Sequence, residues 1–135
     1  MAAKEETFKT RDVTVRRNLF EGCSQGAAAG EAALVALAYL KGYTYPAKPG
    51  VHRDVTFEGN RIVETDESAI FAVGVDGLKV LGNTIEKACL RSSRDSGHHA
   101  IRVQDCARVV VEGNTIDPAR QGPGLTEPIR ITGSQ

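Results

Sequence analysis

The residues best suited to chemistry in this chain lie at the start of short apolar runs. Glu31 and Glu67 each precede such a run, and Asp95, His98 and His99 lie close together before a third one. Two carboxyl groups roughly 5 to 9 Å apart can share the acid, base and nucleophile roles in hydrolysis of a glycosidic bond. A histidine beside an acidic group can transfer protons near neutral pH. These five residues are therefore the candidate catalytic residues.

The same positions also have structural interpretations. Glu31 and Glu67 would be solvated carboxylates at strand ends, and the segment that holds the two histidines would be a charged surface loop. A further interpretation groups Glu64, Asp66 and Glu67, which together with Arg102 would suit a calcium-dependent lyase. The residue types alone leave these alternatives open.

A seven-residue motif that ends in Asn occurs four times in the sequence. This repeat predicts the strands that position the candidate residues. The four copies end at Asn18, Asn60, Asn83 and Asn114, with apolar residues five and three positions before the Asn and two after it. Such self-similarity, at a spacing of about 20 to 50 residues, indicates a solenoid. Because the apolar period is two, the segments are predicted strands. Each Asn would lie at a bend, since Asn tolerates the left-handed backbone region, and the four would stack as a hydrogen-bonded ladder.

A third strand in each repeat is predicted from four segments that superpose without a gap. These segments are 31–37, 67–73, 98–104 and 126–132. Their inward column would consist of Leu34, Ile70, Ile101 and Ile129. Three short strands and one Asn bend per coil are the pattern of a right-handed parallel β-helix. We therefore predict an all-β fold, a right-handed parallel β-helix of about four coils over 11–135, with 1–10 as a polar segment that is either a cap or a truncation end.

Two insertions interrupt the repeat and flank one predicted sheet. One insertion, 38–50, holds three tyrosines, and the other, at about 88–97, is rich in Arg and Ser. Loops that rise on both sides of a solenoid face make a groove with that face as its floor. Aromatic walls and charged groups along the floor suit an extended sugar chain, because rings stack on the apolar faces of pyranoses. The candidate substrate-binding residues are Tyr39, Tyr43, Tyr45, Phe71, Arg94, Arg102 and Arg130.

The coil from Ala69 to Lys87, with its Gly-Asn-Thr-Ile turn, resembles the repeats of the pectin-lyase-like superfamily, and the resemblance extends over nearly the whole chain from Arg11. The runs 11–23 and 49–60 are also similar to the C-terminal coils of β-helical glycoside hydrolases such as the α-1,3-galactosidases. The resemblance implies a carbohydrate-active protein, of glycoside hydrolase or polysaccharide lyase type or a fragment of one, with its site on this sheet face. The alternative is a non-catalytic module that binds glycan or serves as a scaffold.

Departures from the family pattern restrict that inference. Ser96-Gly-His-His99 resembles the Gly-His-Gly motif of polygalacturonases but lacks its second Gly. The Asn-Thr-Asp, Asp-Asp and Arg-Ile-Lys motifs of those enzymes do not occur, so polygalacturonase activity is not assigned.

Composition bounds the partners and the location. The chain has 135 residues, enough for one domain, and its 17 basic and 17 acidic side chains cancel, which favours neither nucleic acid nor an anionic membrane. No apolar run is long enough to span a membrane and the N-terminus lacks a signal peptide's apolar segment, so the expected location is cytoplasmic as written, or secreted if the chain is a fragment of a longer precursor.

The cysteines and the ends of the predicted coil stack allow two further predictions. Cys23, Cys89 and Cys106 form no CxxC pair, so we predict small buried residues with no zinc site, no disulfide and no cofactor. The terminal coils would present unpaired strand edges, which are templates for pairing with another chain. End-to-end self-association is therefore expected unless residues 1–10 cover the first coil.

Overall fold

The computed structural model describes residues 10–22, 32–37, 52–90 and 99–133. Within these ranges the chain forms short strands and one 3-10 turn, Pro118–Arg120, and it contains no α-helix. The strands are β1 (Thr10–Arg16), β2 (Leu19–Glu21), β3 (Ala32–Leu37), β4 (His52–Glu58), β5 (Arg61–Val63), β6 (Ser68–Val73), β7 (Val75–Leu81), β8 (Thr84–Glu86), β9 (Ile101–Gln104), β10 (Val110–Glu112), β11 (Thr115–Ile116) and β12 (Ile129–Thr132).

These strands form three parallel sheets of four strands each. Sheet A contains β1, β4, β7 and β10, sheet B contains β2, β5, β8 and β11, and sheet C contains β3, β6, β9 and β12, each in that spatial order. Every third strand therefore returns to the same sheet, one position further along. This arrangement confirms the prediction of an all-β fold with parallel strands and is compatible with a β-solenoid.

The strand register follows the alignment of the repeats. In sheet A, Val13 pairs with Val55, which pairs with Leu78. In sheet C the predicted inward column lies in register through Leu34, Ile70, Ile101 and Ile129. A constant register keeps every inward side chain inward, because a shift of one residue would turn it to the opposite face.

The core lies between the three sheets and is apolar. Ile62, Ile70, Leu78, Ile85 and Ile101 are essentially fully buried. The last strand of sheet C is more open, since its inward residues Ile129 and Ile131 remain 38% and 46% exposed. Burial is therefore greatest in the central strands of the sheets, which have neighbouring strands on both sides.

The predicted stack of Asn side chains is confirmed. Oδ1 of Asn60 accepts the backbone N–H of Asn18 at 3.0 Å and its side-chain amide at 3.2 Å. Oδ1 of Asn114 accepts the same two groups of Asn83, both at 2.9 Å. Each amide also donates to a backbone carbonyl in sheet A, for example Nδ2 of Asn60 to the carbonyl of Val15 at 2.9 Å. The ladder thus satisfies polar groups at a buried corner.

The backbone of the Asn bend differs from the prediction. The left-handed residue is the one before each Asn, with φ of 55° at Arg17, 63° at Gly59, 59° at Gly82 and 66° at Gly113, and no Asn of the ladder has a positive φ. The expectation that Asn itself occupies the left-handed region was wrong. Glycine adopts this region at little cost, whereas the Asn contributes its side chain to the ladder.

Two of the three cysteines match their predicted role. Cys89 and Cys106 form no disulfide, and both side chains are buried. Burial is the main cause that raises the pKa of the Cys106 thiol. Neither sulfur is therefore placed as a reactive thiolate. Cys23 lies outside the described residues.

Candidate functional site

The candidate site occupies the start and the outer face of sheet C. Of the predicted site residues, the structure describes Glu67, Phe71, His99, Arg102 and Arg130. The others lie outside the described residues, and their predicted roles stay predictions: Glu31, Tyr39, Tyr43, Tyr45, Arg94, Asp95 and His98.

Phe71, Arg102 and Arg130 form one outward column across adjacent strands. Phe71 pairs with Arg102, and Arg102 pairs with Arg130. The guanidinium carbon of Arg102 lies 5.6 Å from the centroid of the Phe71 ring, which is cation–π distance. The register of sheet C therefore brings two guanidinium-bearing side chains next to each other beside an aromatic ring.

Phe71 is less accessible than the predicted groove floor requires. Its exposed fraction is 3%, and together with Val73 it forms an apolar cluster separate from the main core. Arg102 lies over the ring. Within the described residues, the groups on this face with most access to solvent are the charged side chains of Arg130 and Glu127, about half exposed.

His99 is buried at the start of this sheet and is held by Glu127. Nδ1 of His99 lies 3.1 Å from the backbone oxygen of Glu127 and 3.8 Å from Oε1 of the same residue. A carbonyl oxygen can only accept, so this contact assigns the hydrogen to Nδ1 and leaves a lone pair on Nε2. The side chain of His99 is 8% exposed.

Electrostatics favour the neutral form of His99. Burial lowers the pKa of His99, the contacts with Glu127 act in the opposite direction, and the charges of Arg130 and Arg102 lower it further. Removing an imidazolium from water disfavours the charged form. Near neutral pH, His99 is therefore a neutral imidazole whose Nε2 can accept a proton.

Glu127 joins His99 to Arg130 and is absent from the sequence-predicted set. Oε1 of Glu127 lies 3.3 Å from Nη1 of Arg130. Glu127 comes two residues before β12, as His99 comes two residues before β9. That shared position relative to the strand is the signal that could have identified it.

Glu67 lies at the start of the same sheet but is not a solvated carboxylate. It is 4% exposed, and its neighbours Asp66 and Ser68 are buried as well. The backbone oxygen of Glu67 accepts from Oγ1 of Thr65 at 2.8 Å and from the N–H of Cys89 at 3.0 Å. These bonds fix the chain where it enters β6. The solvated interpretation of Glu67 is thus wrong.

Two further charged clusters lie away from sheet C. Nε of Arg108 lies 2.6 Å from Oδ1 of Asp76, and its Nη2 lies 3.3 Å from Oδ1 of Asp54. Both acids raise the pKa of Arg108. The contact with Asp76 joins Arg108 to the neighbouring strand of sheet A, and the contact with Asp54 reaches one strand further. A structural role therefore accounts for this cluster.

The second of these clusters is centred on Glu86 in sheet B. Its carboxylate receives hydrogen bonds from Arg61 at 2.9 Å and from Arg120 at 3.0 Å. These bonds lower the pKa of Glu86. Like the Arg108 cluster, it joins successive coils, because the three residues come from three different repeats.

Among residues 10–22, 32–37, 52–90 and 99–133, no three His, Cys, Asp or Glu side chains are grouped so as to hold a metal ion. Across these ranges there is also no helix with the length and apolar character needed to cross a membrane.

Comparison with known proteins identifies no relative, so the arrangement of side chains on sheet C is the main guide to function. No family model, no curated protein and no solved structure matches the chain.

Proposed function

We propose that this chain is a right-handed parallel β-helix of about four coils, of the pectin-lyase-like kind, that binds an oligo- or polysaccharide over the outer face of sheet C. The three parallel sheets and the stacked Asn residues support the architecture. The balance of 17 basic and 17 acidic side chains favours neither nucleic acid nor a membrane surface as the partner.

The observation that carries the proposal is the adjacent pair Arg102 and Arg130 beside neutral His99. Two guanidinium groups in register can each bind a carboxylate through two hydrogen bonds. At Arg130 a ligand carboxylate would replace Glu127, whose Oε1 lies 3.3 Å from Nη1. The repeat distance between neighbouring strands is about 4.8 Å, close to the length of a sugar ring. The ligand class that fits is therefore a chain containing uronic acids, with Arg94 and the tyrosines Tyr39, Tyr43 and Tyr45 as its predicted walls.

His99 favours lyase chemistry as the catalytic form of this proposal. In β-elimination a base removes the proton on the carbon beside the uronate carboxylate, a carbon–carbon double bond forms, and the neighbouring carbon–oxygen bond breaks. The released oxygen takes up a proton. Nε2 of His99 would accept the first proton, while Arg102 and Arg130 would stabilise the charge that develops on the carboxylate.

The hydrolase form would instead use the carboxyl groups of Glu31 and Glu67. Glu67 is 4% exposed and His99 is 6% exposed, so accessibility does not separate the two forms, and the hydrolase form depends in addition on Glu31, which lies outside the described residues. Asp95 and His98 would be additional proton-transfer groups in either form. The non-catalytic alternative, a glycan-binding module or a structural solenoid, keeps the same arginine pair but requires no base.

Binding is tested by calorimetry with oligomers of uronic acid and with neutral oligosaccharides of equal length. Arg102→Ala and Arg130→Ala should each weaken binding of the acidic oligomers at least tenfold. Arg61→Ala is the matched control, since Arg61 is exposed on sheet B and pairs with Glu86. Equal affinity of the wild type and both sheet C variants would refute the site.

The tyrosine wall has its own test. Changing Tyr43 and Tyr45 together to Ala should weaken oligosaccharide binding while the melting temperature stays nearly constant. Unchanged binding with a large fall in melting temperature would mean that these side chains serve the fold.

Catalysis is tested by ultraviolet absorbance of the unsaturated product. His99→Gln should abolish product formation yet retain binding of the acidic oligomer, whereas His52→Gln on sheet A should retain both. Binding without any product in the wild type would select the non-catalytic module.

A further inference from the structure

Both ends of the three-sheet stack present inward-facing apolar side chains that are only partly covered. At one end Ile129 and Ile131 are 38% and 46% exposed, whereas their column neighbours Ile101 and Val103 are fully buried. The half-buried core residues at that end are Val109, Val111, Ile116 and Leu125. At the opposite end the half-buried core residues are Val15 and Phe20.

The Asn ladder has a direction, and its two ends are complementary. Each backbone N–H donates to Oδ1 of the next Asn, from Asn18 through Asn60 and Asn83 to Asn114. Within the described residues, the ladder ends in an N–H of Asn114 that has no acceptor and begins with an Oδ1 of Asn18 that has no donor. The Asn114 end therefore has a hydrogen-bond donor without an acceptor, and the Asn18 end has an acceptor without a donor.

We propose that these ends pair head to tail, so that β10, β11 and β12 of one copy continue their sheets with β1, β2 and β3 of a second copy. In this register Asn114 lies opposite Asn18 of the second copy and donates its backbone N–H to that Oδ1. Ile116 then faces Phe20 of the second copy, as Phe20 faces Ile62 within one chain.

Charge supports a second copy as the occupant. The register places Glu112 opposite Arg16 of the second copy, and in the chain itself Arg16 lies 3.6 Å from Glu58, the residue at the equivalent position one coil later. It also places Arg108 opposite Asp12 of the second copy.

One contact in this register is unfavourable, because Asp117 would face Glu21 of the second copy. Nε of Arg120 lies 3.8 Å from Oδ2 of Asp117 and offsets part of that repulsion. This register therefore creates two pairs of opposite charge and one pair of like charge between the two copies. The charges favour this register, and the apolar ends supply its main stabilisation.

A contact of this kind joins two different surfaces and does not close on itself. Each copy added leaves the same two ends open, so the product is a chain of copies rather than a dimer of fixed size. The contact extends sheet C at its edge and places Arg130 opposite Val35 of the second copy. The pairing does not depend on glycan binding, because it rests on the strand edges and the inward side chains at the two ends.

Cysteine cross-linking tests the register. Thr14 and Val110 project outward at equivalent positions of β1 and β10. Neighbouring strands lie about 4.8 Å apart, within the range of roughly 4.4 to 6.8 Å between Cα atoms that a disulfide spans. The variants are Thr14→Cys and Val110→Cys in a Cys23→Ser background, with oxidised glutathione as the oxidant.

The expected result is a disulfide-linked heterodimer when the two single variants are mixed and oxidised, with no link when either is oxidised alone. Equal linkage in the separate variants would indicate random collision or a head-to-head contact and would overturn the proposal. The absence of any link in the mixture would overturn it as well.

Sedimentation velocity provides a second readout that needs no cross-link. The weight-average mass of the wild type should rise with concentration from micromolar to millimolar, and Ile131→Asp should suppress the rise. Lys79→Asp is the matched control, because Lys79 is exposed at the centre of sheet A. A wild-type monomer across the whole range would refute the proposal.

Discussion

Asn83 accepts both amide groups of Asn60 at a single oxygen. Its Oδ1 lies 2.9 Å from the backbone nitrogen of Asn60 and 3.0 Å from Nδ2 of that residue. Its own Nδ2 donates to the carbonyl of Phe57 at 3.0 Å and to Oδ1 of Asn114 at 2.9 Å. One fully buried side chain is therefore hydrogen-bonded to both the preceding and the following repeat.

Replacing Asn83 by Ala should lower the free energy of unfolding by about 2 to 5 kcal/mol, since several buried partners each lose a hydrogen bond. Asn18→Ala is the matched control and should cost less, because Asn18 is exposed at the end of the ladder. Urea denaturation measures both values. Equal losses would mean that burial does not set the strength of the ladder.

Replacing Ile70 or Ile101 by Ala should cost about 2 to 5 kcal/mol through lost burial and the cavity left behind. Both side chains are fully buried, whereas Ile131 on the neighbouring inward column is 46% exposed. Ile131→Ala should therefore cost clearly less in the same denaturation experiment, performed at a concentration where the protein is monomeric. A cost as large as that of Ile101→Ala would argue against the open end of the stack.

A side chain at a left-handed position costs free energy through backbone strain and through steric clash. Gly77 and Gly82 allow these two costs to be compared. A Cβ at Gly77, with φ of 87°, would meet Oδ1 of Asp54 at 2.6 Å, whereas a Cβ at Gly82, with φ of 59°, would meet nothing within 4 Å. Gly82→Ala should cost about 1 kcal/mol from the backbone alone, and Gly77→Ala should cost more. The difference in unfolding free energy between the two variants measures the cost of displacing the Asp54 carboxylate from Arg108, and equal losses would mean that this side chain moves aside without cost.

The pKa of His99 predicts how stability depends on pH. Because burial lowers that pKa in the folded chain, the unfolded chain binds more protons at pH values below about 6.5. The free energy of unfolding should therefore fall as pH falls through this value, until the folded histidine is protonated too. Above it the contribution is constant.

The measurement compares urea unfolding of the wild type and of His99→Gln between mildly acidic and mildly alkaline pH. The variant should lose part of the acid-induced destabilisation. Identical pH profiles for the two proteins would show that His99 titrates at the same pH in the folded and unfolded chains.

The repeat in the sequence was sufficient to predict the strands and their register. Val55 and Phe57 precede Asn60 at the same spacing as Leu78 and Val80 precede Asn83, and strands built on a constant spacing pair without a shift. This regularity is local, so it is readable without knowledge of distant contacts. The same regularity predicted the Asn stack, although the backbone conformation of the bend belongs to the residue before each Asn.

The contacts of the candidate site could not be predicted in the same way, because they join residues far apart in the chain. His99 meets Glu127 across 28 residues, and the burial of Phe71 depends on what lies over the outer face of sheet C. The alignment of the repeats identified Arg102 and Arg130 as neighbours. It could not show which ring nitrogen of His99 carries the proton, or that the backbone oxygen of Glu127 accepts it.

What this sequence determined by itself is therefore the order, direction and inward face of its strands, since those depend on apolar alternation and repeat spacing along the chain. What only the tertiary structure decided is which polar side chains are buried and which atoms they contact. Glu67 and His99 both look like surface groups in the sequence, and both are buried. Burial and hydrogen bonding depend on the coils above and below, and these are fixed only when the three sheets are assembled.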